Sequence, residues 1–264
     1  MSDLPTFETV DVDVDGALGR VTLNRPDKLN PLSTKTLVEL TGAFEALDSV
    51  DGLKVVIVSG RGRAFSAGAD VSFFGTTEAN DGLSPREAAD AGRLMVESLE
   101  ALRAVTIAAV WGHCVGGGIV LAAGCDLRVA ADDTRFSIPE VDLGIPLAWG
   151  GIPRLVREIG PAMTRELVMT CRPFGADEAA RLGFVNRVVP ADEVMSEAEG
   201  LAAELAAKSA LTLQSTKRHV NAVLDTISGT ARSWNDADGL VSALHDPESR
   251  AVGKRYLERF QGNH

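Results

Sequence analysis

Two short, continuous apolar runs constrain this chain more than any other feature: "LKVVIVSG" at 53–60 and "VTIAAVWG" at 105–112. Neither approaches the ~18 residues of a membrane span. Neither alternates apolar with polar residues, as a strand with one wet face does. A strand that is apolar throughout is buried on both faces, which is the habit of parallel sheets in α/β proteins. Each run leads into a glycine-rich turn, "GRGRAFSAGADV" at 60–71 and "HCVGGG" at 113–118. After the second turn comes a helical segment, "GIVLAAG", and then a further strand, "DLRVAA". Strands that alternate with helices in this way predict an α/β fold.

The flanking segments fit that reading. "FETVDVDVD" at 7–15 alternates apolar and acidic residues, the period of a half-exposed strand. "GALGRVTLNRP" continues it as a hairpin partner, with Gly16 to Gly19 turning the chain and Val21 and Leu23 facing inward. Ser33 is placed to cap a helix carrying Leu37, Leu40, Phe44 and Leu47 on one face. The polar stretch 75–84 reads as a mobile loop, and "SPRE" at 84–87 carries a capping box ahead of a helix running to about Arg103. From about Ser196 onward the pattern is helical, with Leu201, Leu205, Leu211 and Leu213 as apolar markers. The expected organisation is an α/β core over 1–195 and a helical region over 196–264, packed on the core or on a neighbouring subunit.

Composition excludes several function classes. The net charge of −11 opposes nucleic acid and anionic membrane as partners. Cys114, Cys125 and Cys171 form no CxxC pair and are odd in number, so they read as buried thiols in a reducing compartment. The histidines, His113, His219, His245 and His264, lack metal-ligand spacing, and no metal is expected. The acidic N-terminus lacks the basic and apolar regions of a signal peptide, so a cytoplasmic location is expected.

The two glycine turns have two readings. They serve packing alone, or they bring backbone N–H groups close to a ligand, with the second turn also supplying the positive end of a helix. A dinucleotide fingerprint fails because Leu121 stands where the third glycine belongs, and "GGGIV" lacks the Gly-Lys-Ser/Thr ending of a P-loop. Ser66 lies in "AFSAG", not in the Gly-x-Ser-x-Gly of a nucleophile elbow.

Five stretches in order carry a more specific signal: "LNRPDKLNPLS", "GRGRAFSAGADV", "VWGHCVGGGIVLAAGCDLRVAADDTRF", "PEVDLGIPLAWGG" and "RLGFVNRVVP". Together, over roughly residues 7–260, they resemble the crotonase superfamily of enoyl-CoA hydratases and isomerases. The resemblance implies a spiral of ββα units with a C-terminal helical region, assembled as a homotrimer or a dimer of trimers. It implies an acyl-CoA thioester substrate, with coenzyme A part of that substrate and no separate cofactor. The family's two oxyanion-hole amides fall on Ala69 and Gly117. Its CoA-binding stretch falls on Lys28 and Asn30, with the backbone of Ala67, Ala69, Asp70 and Val71 beside the adenine and pantetheine and Gly116, Pro139 and Leu143 as further substrate-binding positions. Lys28 keeps a second reading as a solvated loop lysine, and Asp70 as a helix cap.

Hydratases of this family carry two catalytic glutamates. The first position is Val120 here, which cannot move a proton; the second is Glu140 in "IPEVDLG". A lone carboxylate suits double-bond migration, in which one base removes a proton from C2 and returns it at C4. The resemblance therefore points first to an isomerase with Glu140 as its only base. A hydratase in which Glu140 alone orients water, and a non-catalytic acyl-CoA binder, are the alternatives. Ala148, where a dienoyl isomerase places an acid, offers none. Asp142 is a second acid if the segment is extended, or a turn residue before Gly144. His113 lines the pocket or is structural, Cys114 packs, and Trp149 covers the acyl channel or fills the core.

Overall fold

The computed structural model describes residues 4–70 and 82–261. Most of the polar stretch expected to form a mobile loop, and Val71, lie outside the described residues. Strands β1 (Val10–Asp15) and β2 (Leu18–Leu23) form the expected hairpin. Its turn is tighter than the sequence suggested: Gly16 takes φ 59°, and Gly19 already belongs to β2. Helix α1 (Thr34–Asp48) starts at the expected cap, where the Ser33 hydroxyl accepts from the Thr36 amide at 3.2 Å. After β3 (Val55–Gly60), α2 (Pro85–Ala101) opens with Ser84 and Glu87 in a reciprocal capping box.

Then follow β4 (Val105–Val110), β5 (His113–Val115), α3 (Gly117–Gly124), β6 (Leu127–Ala131) and β7 (Arg135–Ser137). The second glycine turn thus contains a short strand that periodicity did not separate from it. Helix α4 (Gly151–Thr170) breaks at Gly160, just before Pro161. It leads to β8 (Phe174–Gly175), α5 (Ala176–Arg181) and β9 (Arg187–Val189). The chain ends in α6 (Val194–Ala206), α7 (Ala210–Ser228), α8 (Asp236–His245) and α9 (Pro247–Gln261).

The larger sheet has the order β1-β2-β3-β4-β6-β9, parallel from β2 onward; a smaller one, β5-β7-β8, stands beside it. Alternation within β3 and β4 explains their unbroken apolar sequence. Val56, Val58, Ala108 and Val110 join one core with Phe44, Leu47, Met95 and Leu99. Val55, Ile57, Ile107 and Ala109 join a second core on the opposite face, sealed by Val194, Ala198, Leu201 and Ala202 of α6. The first helix of the C-terminal region is therefore integral to the sheet packing. Helix α8 packs elsewhere, its Ala237 and Leu240 against Ala89, Ile145 and Ala148.

Leu211, one of the apolar markers of the helical pattern, lies in α7 as that pattern implies but is 71% exposed. The side chain α7 buries is instead Lys217, whose ammonium pairs with Asp126 at 2.8 Å and donates to the Ala104 carbonyl at 2.9 Å. Its alkyl stem supplies the apolar packing while the charge is compensated at the tip. Among the described residues, no helix is long and apolar enough to cross a membrane.

Candidate active site

Parallel pairing of β3 with β4 places their C-terminal ends together, so the two glycine-rich segments emerge side by side. Backbone bonds then hold them in register. The Ser66 amide donates to the His113 carbonyl, and the Val115 amide to the Ser66 carbonyl, both at 3.0 Å. The Ser66 hydroxyl is fully buried; it donates to the Asn30 carbonyl at 2.8 Å and accepts from the Gly68 amide at 3.1 Å. Ser66 is thus a fixed part of the loop scaffold.

A second set of bonds selects which amides remain available. The Ala67 amide donates to Leu29 at 2.8 Å and the Asp70 amide to Leu32 at 3.1 Å, while Leu32 donates to Gly68 at 2.8 Å. Successive amides of an extended segment point to opposite sides. The amide of Ala69 therefore points away from Leu32, and among the described residues it donates to no carbonyl. Gly117, the first residue of α3, has the orphan N–H that every helix start has. A Cβ built on Gly68 would lie 3.6 Å from the Gly117 nitrogen, which shows how closely the two loops approach. Ala69 and Gly117 line one pocket, two donors with no acceptor among the described residues, reinforced by the positive end of α3.

That pocket measures about 520 Å³ including its open mouth. Its walls are Leu32, Leu37, Ala88, Val120, Ile145 to Trp149 and Leu240, with Thr34 the other polar side chain. Glu140 is the only ionisable side chain in the lining, among the described residues. It is 8% exposed, and its Oε2 is buried without a hydrogen-bond partner. Burial pushes its carboxyl up to about 7, against an ordinary value of 4.5. A buried, unsatisfied carboxylate is costly, and such groups cluster where a proton must be moved. Gly116 makes its position possible. At φ 48° it favours glycine, and any Cβ there would overlap the Glu140 carboxylate.

The pH dependence follows from these values. A base with a pKa near 7 is protonated and idle in acid, so kcat/KM should rise with pH through an apparent pKa near 7. Because the folded state holds this proton to higher pH than the unfolded chain, the stability contribution is complete below about 4.5. It is lost as pH rises through about 7. Glu140→Gln, which removes the charge, is therefore expected to be more stable than wild type at pH 8, by up to about 3 kcal/mol, and to lose that margin near pH 4. Urea unfolding at the two pH values measures the difference.

The structure places the remaining candidates unevenly. Val120 is fully buried and lines the pocket, so the position of the first family glutamate is apolar in place as well as in sequence. Asn30 lies in the stretch that the resemblance assigns to CoA, yet its side chain is buried and wholly engaged with backbone. It accepts from the Arg25 amide at 2.9 Å and donates to the Arg61 and Ala64 carbonyls, each at 2.9 Å. It tethers the loop rather than offering a free group. Asp70 pairs with Arg25 at 3.0 Å, tying the two loops together; any helix for it to cap would begin outside the described residues. Lys28 is exposed, in a short turn spanning Pro26–Lys28.

Pro139 directly precedes Glu140, and its carbonyl accepts from the Leu143 amide at 3.0 Å. Leu143 is not in the pocket lining itself; it packs against the cluster of Ile145, Ala148 and Leu240 and lines the groove beside α9. Asp142 is exposed: the chain turns at 140–144 instead of extending, so Asp142 and Glu140 share no face. His113 and Cys114 alternate across β5, which leaves His113 exposed and outside the pocket lining. Cys114 is fully buried, and burial pushes its thiol well above the usual range, so it packs and does not react. Sequence reasoning missed Leu32, Thr34, Leu37, Ala88 and Leu240 as lining residues, because they come from α1, its approach, α2 and α8.

Comparison with known proteins identifies the family. A family profile described as "Enoyl-CoA hydratase/isomerase" matches residues 13–264. The chain is 34% identical over 259 residues to the crotonyl-CoA hydratase of Syntrophomonas wolfei subsp. wolfei, covering 97% of this chain and 98% of that protein. It is 38% identical over 221 residues to a probable enoyl-CoA hydratase of Mycobacterium tuberculosis, covering 84% of each. Among solved structures, an enoyl-CoA hydratase from Mycobacterium avium subsp. paratuberculosis superposes with a TM-score of 0.86 at 26% identity, over 95% of this chain and all of that one. The α/β spiral, the paired amides and the buried glutamate thus occur in a chain that belongs to the enoyl-CoA hydratase/isomerase family, within the crotonase superfamily.

Proposed function

We propose that the protein moves the double bond of an enoyl-CoA from C3 to C2, using Glu140 as its only base. The observation that carries this reading is the pocket lining, in which one carboxylate stands among apolar side chains and Val120 occupies the place of a second. The thioester oxygen lies on the Ala69 and Gly117 amides. Glu140 takes the C2 proton, and the electron pair passes into the thioester as an enolate whose negative oxygen those amides stabilise. Donors of this kind act mainly on the transition state, because the charge develops only there. The same carboxyl returns the proton at C4 as the double bond reforms between C2 and C3. Atoms and charge balance without water, metal or a further cofactor.

The names of the relatives favour a second reading, hydration of a trans-2-enoyl-CoA, with Glu140 orienting water alone. Purified protein offered a 3-enoyl-CoA and, separately, a trans-2-enoyl-CoA separates the two. Double-bond migration at unchanged mass, with gain of the conjugated thioester absorbance, supports the isomerase. Gain of one water from the 2-enoyl substrate, with no migration, replaces it by the hydratase. Binding without turnover of either substrate removes both.

Val120→Glu places a second carboxyl in the pocket wall. It is expected to introduce or raise hydration of the trans-2-enoyl substrate, read as the hydrated product by mass. An unchanged product distribution counts against this account of position 120.

A further inference from the structure

Trp149 lines the pocket in a backbone conformation that tryptophan rarely adopts, φ 60°. A large side chain in the left-handed region persists only where its surroundings enforce it. The enforcement here is extensive. Arg154 is fully buried, and its Nη1 donates to the carbonyls of both Trp149 and Gly150 at 3.1 Å. Its Nε donates to Glu100 at 3.0 Å, and Arg157 pairs with the same carboxylate. From the other side, Asp236 of α8 accepts from the Gly150 amide at 2.9 Å.

The indole also has space cleared for it on two helices. A Cβ on Gly92 of α2 would overlap its pyrrole side, and a Cβ on Gly117 of α3 would overlap its six-membered ring. The ring is thus wedged between α2 and the residue whose amide faces the pocket. No group on the indole can move a proton from carbon, and the ring lines the same pocket as Ala69 and Gly117.

We propose that Trp149 is the specificity-determining wall of the acyl pocket and restricts it to short acyl chains. This rests on the reading of the site as an acyl-CoA site. The side chains that pack with the indole or line the pocket beside it include Ala148, Leu147 and Leu240, all apolar. Removing the ring therefore leaves a dry apolar space of the kind that accepts hydrocarbon. Each methylene that enters it should raise affinity about fourfold.

The test is calorimetric titration of the full chain with free CoA and with saturated acyl-CoAs from butyryl to dodecanoyl, which bind without turnover. Trp149→Gly is the first variant, since glycine adopts φ 60° without strain and keeps the turn. In wild type, affinity should stop rising at short acyl length. In Trp149→Gly it should keep rising through several more methylenes, about fourfold for each, with free CoA binding unchanged. Trp149→Phe retains a ring against both glycines; it should move the limit the same way by a smaller step, and it keeps the test decisive if the glycine variant fails to fold. Identical length profiles in wild type and the folded variants overturn the role of Trp149 alone. Failure of every acyl-CoA to bind any of the proteins overturns the acyl-CoA site itself, and this proposal with it.

Discussion

Replacing Glu140 with glutamine lowers kcat by at least about 10²-fold, in line with the loss of a general base. The substitution keeps the shape of the side chain and removes its ability to take a proton. It leaves the Ala69 and Gly117 amides in place, so binding of the thioester persists and the loss falls on kcat more than on KM. The same variant is expected to be at least as stable as wild type above neutral pH, since the buried Glu140 carboxylate lacks a partner at Oε2. Reduced activity with undiminished stability distinguishes a group held at some cost for chemistry from one held for packing. Steady-state kinetics and urea unfolding on one preparation supply both readings. Activity within a few-fold of wild type would remove Glu140 from the role of base.

Ala69→Pro is expected to lower kcat by about 10²–10³-fold, the usual effect of deleting one oxyanion donor. The position suits the test. Among the described residues its amide donates to no carbonyl, whereas the neighbouring amides of Ala67 and Asp70 are engaged with Leu29 and Leu32. Proline therefore removes an N–H that the fold does not use. The residue before it, Gly68, carries no Cβ to clash with the proline ring. Ala69→Gly, which keeps the amide, should retain activity within a few-fold and serves as the control. If the proline variant turns over like the glycine variant, the amide of residue 69 does not face the reacting oxygen.

What the sequence made legible was local or periodic. The Ser33 cap, the Ser84–Glu87 capping box, the unbroken apolar runs of β3 and β4 and the alternating β1 each state their structure within a few residues. Glu140 and Val120 were legible through the ordered motifs around them. Contacts that depend on the whole chain were not. Nothing near Arg154 in sequence announces that it will be buried with Glu100, 54 positions away, or that Asp236, 86 positions beyond Gly150, will hold the Trp149 turn. Asn30 looked like a ligand contact because its motif is one; only the three-dimensional loop shows that its amide group is already engaged. The exposure of Leu211 was not legible either, because apolar spacing marks the face of a helix without saying whether anything covers it.

Both variants, and the wall formed by Trp149, depend on one arrangement: a thioester oxygen held by two main-chain amides, with one carboxyl over the adjacent carbons. The most direct measurement is a crystal structure of the protein with a bound saturated acyl-CoA. The account expects the thioester oxygen about 2.7–3.1 Å from the nitrogens of both Ala69 and Gly117, with the Glu140 carboxylate against C2. A thioester oxygen directed away from either amide, or Glu140 turned out into solvent, would contradict it.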